Sequence, residues 1–104
     1  MPKVNLSVPH ELGQEEATAR IKHLLTEVRE KYGNQVSDIH EDWNGSSCDL
    51  AWKSMGMGMS ANIQVNASDV TVDGTMPMAF MAFKGKMESL VRDRVTQALA
   101  PAPA

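Results

Sequence analysis

Between Val36 and Met76, apolar and polar residues alternate through three consecutive hairpins that fit one register, and this run constrains the fold more than any other feature. Side chains in a strand alternate faces, so a slip of one residue would reverse all of them. Agreement among the hairpins therefore argues for an antiparallel sheet with one apolar face. Asn44-Gly45 is the strongest turn signal, because both central positions of a type I′ turn need positive φ. It predicts Trp43 facing Ser46, Glu41 facing Cys48 and Ile39 facing Leu50, with His40 across from Asp49 on the other face. A connection at Met55-Gly56-Met57-Gly58 sets Trp52 against Ala61, Leu50 against Ile63 and Cys48 against Val65. A similar one at Asn66-Ala67-Ser68-Asp69 sets Val65 against Val70, Ile63 against Val72 and Met59 against Met76. The opposite face is polar.

Ahead of the sheet, Val4, Leu6 and Val8 alternate with polar residues as a half-buried strand does, and Pro9 withholds the next ladder donor. From Gly13 to Tyr32, Ala17, Ile21, Leu24, Leu25 and Val28 recur at helical spacing, with Gly33-Asn34 as a left-handed stop. After Pro77, a second helical stripe runs through Phe83, Met87, Leu90, Val91, Val95 and Leu99. The predicted fold is a two-layer α+β domain of order β-α-β-β-β-β-α, with both helices on one face of the antiparallel sheet; it resembles a reduced helix-grip arrangement. Residues 1–100 are expected to form one domain and 101–104 a disordered tail. A chain of 104 residues hides roughly 60 to 70% of its surface on folding. A core that small argues against a large cavity. Trp43 and Trp52 are then core anchors, and would line a ligand cavity only if the sheet curved away from the helices.

The chain has 10 Lys and Arg against 13 Asp and Glu, a net charge of −3, with the basic residues scattered. That balance disfavours nucleic-acid binding. The single cysteine, Cys48, excludes an internal disulfide and suits a reducing compartment. No apolar run is long enough for a membrane span or a secretory leader, so a cytoplasmic location is expected. No cofactor motif is present, and Lys84-Gly85-Lys86 reads as a polar helix start rather than a phosphate cradle.

Asp38, His40 and Asp42 share a strand face, and Asp49 is expected opposite His40. An imidazole among carboxylates is the composition of an acid–base or divalent-cation site, although an open sheet face leaves such groups solvated. His10 is read as a surface or loop residue with a hydrogen-bonding role as the alternative, and His23 as the boundary of a helical stripe. Cys48 points inward beside Glu41, a setting that raises a thiol pKa and suits a small buried hydrophobe better than a nucleophile.

Lys3-Val4-Asn5-Leu6-Ser7-Val8-Pro9-His10, then Leu12-Gly13-Gln14-Glu15-Glu16-Ala17, Trp43-Asn44-Gly45, Pro77-Met78 and Phe83-Lys84-Gly85-Lys86 extend over nearly the whole chain. In these motifs it resembles the putative polyhydroxyalkanoic acid system protein family, small bacterial proteins linked to the loci or granules of an intracellular polyester store. The resemblance implies a cytoplasmic, non-enzymatic accessory whose partners are the polyester granule surface or granule proteins. It transfers no catalytic residue. An apolar patch suited to such a surface is expected at Met55, Met57 and Met59 together with Met78, Phe80 and Met81, the packing of these side chains into the core being the alternative. A small module binding an acyl-type ligand between sheet and helix is the second function class. An enzyme using His40 and neighbouring aspartates is the third. Unprotected sheet edges are compatible with a homodimer.

Overall fold

A computed structural model describes residues 3–100. The expected tail, 101–104, lies outside these residues. Strand β1 (Lys3–Pro9) is followed by helix α1 (Gln14–Tyr32) and by strands β2 (Ser37–Asn44), β3 (Ser47–Ser54), β4 (Met57–Val65) and β5 (Asp69–Thr75). A 3₁₀ turn, Met78–Phe83, then runs into helix α2 (Lys84–Ala98). The strands form one antiparallel sheet in the order β1-β5-β4-β3-β2. The α+β architecture is the one the sequence predicts.

Along β1 the alternation is complete: Val4, Leu6 and Val8 are buried, and Leu6 and Val8 pair with Val72 and Val70 of β5. The β4–β5 register, with Val65 on Val70 and Ile63 on Val72, is as predicted. The other two hairpins are shifted. Trp43 pairs with Cys48, and Glu41 with Leu50. Trp52 pairs with Met59, and Leu50 with Ala61. Each shift is of two residues, so side chains keep their predicted faces except at the start of β2, where a bulge between Ser37 and His40 sets Ser37 opposite Lys53 of the polar face.

The turns explain the shifts. The β2–β3 loop is Gly45-Ser46 rather than Asn44-Gly45, with the positive φ at Gly45 alone, as a type II′ turn requires. Ser46 is held in place from both sides: its carbonyl accepts from the Val65 amide at 2.9 Å, and its hydroxyl from Thr18 of α1 at 3.0 Å. The β3–β4 loop is Met55-Gly56, with φ of 55° and 78°, a type I′ pattern. This shorter loop adds the Lys53–Gly58 and Ser54–Met57 pairs to the ladder, which offsets the cost of a left-handed methionine.

Helix α1 carries Glu15 and Glu16 in its first turn and Arg29 and Lys31 in its last, complementing the helix dipole. Its end corrects one expectation. Gly33 is right-handed, at φ −60° and ψ −23°, and the chain continues into a turn closed by the Gln35 amide on the Tyr32 carbonyl at 2.9 Å. Glycine is required there for space, since a Cβ would run into the Arg29 carbonyl oxygen.

The core gathers Leu6, Val65, Val70 and Met76 from the β1–β5–β4 side of the sheet with Ile21 of α1 and Val95 of α2. Chain order places it there: α2 follows β5, whose neighbour is the edge strand β1, so α2 lies over β1 and α1 packs on α2 and β4. No helix Cα comes within 8 Å of a Cα in β2 or β3. The expectation that both helices cover the apolar face therefore holds for only part of the sheet.

Candidate functional site

Where the helices stand off the β2–β3 hairpin they leave a cavity of about 420 Å³, which corrects the small-core argument against one. The sheet supplies Ile39, Leu50, Trp52 and Ala61 as its floor. Leu24, Leu25, Val28 and Tyr32 of α1 line one wall, and Met87, Leu90 and Val91 of α2 the other. The strand residues point inward because period-two alternation puts Ile39, Leu50, Trp52 and Ala61 on the face that carries the core. Helical spacing brings the two stripes to the same space. Trp52 thus lines a cavity rather than filling a core.

Three charged side chains reach this hydrocarbon lining: Arg29, Glu41 and Arg94. Arg29 Nη2 donates to Glu41 Oε1 at 2.9 Å, and Trp43 Nε1 donates to Glu41 Oε2 at 2.6 Å. Lys22 lies 5.0 Å over the Trp43 ring. Arg94 has no hydrogen-bond or ion-pair partner among the described residues. The sequence reading passed over it; the signal was a charge four residues after Leu90 and three after Val91, inside an otherwise apolar stripe.

His40, Asp42 and Asp49 of the polar cluster line one concavity on the polar face, but their cross-strand pairing differs from the expected one. His40 pairs with Ala51, and Asp49 with Asp42. Asp38 sits at a bulge with φ 52° and meets Lys53 at 3.5 Å. Asp49 accepts from Asn62 Nδ2 at 2.8 Å, and Asp73 from Asn5. Register lines these groups up as one transverse row, Asn5-Asp73-Asn62-Asp49-Asp42, across all the strands. Among the described residues no group of three His, Cys, Asp or Glu side chains is arranged to hold a metal ion.

The methionines separate as well. Met55, at the β3–β4 turn, is 81% exposed, and Met78 is 69% exposed. Met59 is buried at 8%, Met57 is half-buried, and Phe80 packs against the core, so these three do not form open surface. The 3₁₀ turn has no Cα within 8 Å of β3 or β4, and the backbones of the two proposed halves of the patch stay apart. Exposed Met81 and Phe83 instead extend Met78 along the approach to α2.

Cys48 is buried, and that burial first, then the Glu41 carboxylate, pushes its thiol up to about 11. His10 is buried rather than at the surface. Its Nδ1 accepts the Leu12 amide at 3.2 Å, which leaves Nε2 to donate to the Asn66 carbonyl at 3.0 Å; the ring ties the start of α1 to the β4–β5 turn. His23 is exposed and meets Glu27 at 2.6 Å. No helix among the described residues is long and apolar enough to cross a membrane.

No curated protein matches the chain. A family model does: residues 4–99 match the one described as "Putative polyhydroxyalkanoic acid system protein", and the chain belongs to that family.

Proposed function

We propose that this protein is a cytoplasmic, non-enzymatic accessory of the polyhydroxyalkanoate system that holds an apolar ligand between its helices and the β2–β3 hairpin. The observation that carries the reading is the hydrocarbon-lined cavity of about 420 Å³, within the range of roughly 300 to 1,000 Å³ common for small-molecule sites. Polyester of this class is built from acyl units, so family and cavity favour the same ligand chemistry. Trp52 in the floor supplies a reporter. Titration with aliphatic alcohols and acids of graded chain length should change its fluorescence saturably. Silence across the series would remove the reading.

A second reading is supported by Met78, Met81 and Phe83, which expose thioether and aromatic surface on one short segment. Such side chains suit docking on a polyester surface or on a protein that coats it. Fluorescently tagged protein in a polyester-accumulating bacterium should then form rings around granules, and Met78→Ser with Phe83→Ser should disperse them without lowering the melting temperature. Diffuse fluorescence of the unsubstituted protein would leave the ligand reading alone.

A further inference from the structure

We infer that the cavity takes an aliphatic chain ending in an oxyanion, with Arg94 binding the oxyanion; this rests on the ligand-site reading above. The chain contains four arginines, Arg20, Arg29, Arg92 and Arg94. Three of them have acceptors. Arg20 meets Glu16 at 3.0 Å and the carbonyls of Ala98 and Ala100. Arg29 is held by Glu41, and Arg92 reaches the Ser7 carbonyl at 3.4 Å. Arg94 alone has none among the described residues, and it is the one placed within the apolar stripe of α2 that lines the cavity.

Position decides what Arg94 can do. It follows Met87 by seven residues and Leu90 by four, so successive turns of α2 set all three on one face. Arg94 is half-buried beside the aliphatic side chains of the cavity, and a charge drawn partly out of water gains from an acceptor. Its planar fork matches a carboxylate or phosphate with paired N–H···O bonds. Glu41, the carboxylate at the same cavity, is already engaged by Arg29 and Trp43 and does not compete. An acyl chain lying on Leu50, Trp52 and Ala61 with its head at α2 would use both the lining and the unpartnered charge.

Calorimetric titration at neutral pH with decanol below its solubility limit, and with decanoate and decyl phosphate below their micelle concentrations, tests this. Wild-type protein should bind one or both anions about tenfold or more tightly than decanol. Arg94→Gln should remove that margin while decanol binding persists, and Arg94→Lys should restore part of it; an unchanged melting temperature shows that the fold is intact. Preference for decanoate assigns a carboxylate head, and preference for decyl phosphate a phosphorylated one. Decanol binding as tightly as both anions, or a margin that survives in Arg94→Gln, overturns the role of Arg94 and leaves the ligand site standing. Absence of binding by all three overturns both.

Discussion

At Cys48 a small buried side chain sets how the protein responds to alkali. Burial and Glu41 raise the folded-state thiol to about 11, above its ordinary 9.0. A raised acid favours the folded state below the unfolded value and loses that contribution as pH climbs through the folded one. The contribution is therefore present below pH 9 and lost between pH 9 and 11, amounting to on the order of 2–3 kcal/mol. Cys48→Ala should flatten the fall in chemical-denaturation stability across that window, and the native thiol should resist thiol reagents at neutral pH. On the polar face, Asp42 lies directly opposite Asp49, and like charges so placed destabilise a ladder. Asp42→Asn should raise stability by about 0.5 kcal/mol in low salt, with the gain shrinking at high ionic strength as salt screens the pair. The inward parity of Cys48 was legible in the sequence because parity needs only alternation. The Asp42–Asp49 pairing was not, because a shift of two residues changes partners without changing faces.

The β3–β4 hairpin shows where element-level reading stops. Met55 adopts φ 55°, a conformation that costs an ordinary L residue about 1–2 kcal/mol. Propensity alone therefore favoured a longer connection, while the extended ladder and strand twist favour the short one. Asparagine tolerates this conformation, so Met55→Asn should raise the melting temperature by about 2–5 °C. A decrease would mean that the methionine side chain, though 81% exposed, contributes contacts worth more than the strain. The helices were legible from spacing over almost their full length. The 3₁₀ turn was not, since Met78-Ala79-Phe80-Met81-Ala82-Phe83 carries an apolar pattern that also fits the first turns of an α-helix.

At the scale of the whole molecule, residue patterns showed which faces turn inward but not how far the two layers stand apart. That separation depends on α2 following β5 to the β1 edge, which biases both helices to one half of the sheet. Filling the gap tests its meaning. Ala61→Leu adds volume to the floor and should raise the melting temperature by a few degrees while weakening aliphatic-ligand binding at least tenfold. Gained stability with unchanged binding would place the ligand elsewhere.

If the gap takes a ligand as proposed, the protein's survival depends on its surroundings. A hydrocarbon-lined space left empty withholds dispersion contacts from the folded state, and a molecule that enters it supports that state alone. At a free concentration one hundred times its dissociation constant, such a molecule adds about 2.7 kcal/mol to folding. The fraction of chains opened to proteases would then fall about a hundredfold. If the ligand is of the proposed acyl type, abundance in the cell would rise with its supply even at constant synthesis, so that a store of acyl units would set the lifetime of the protein.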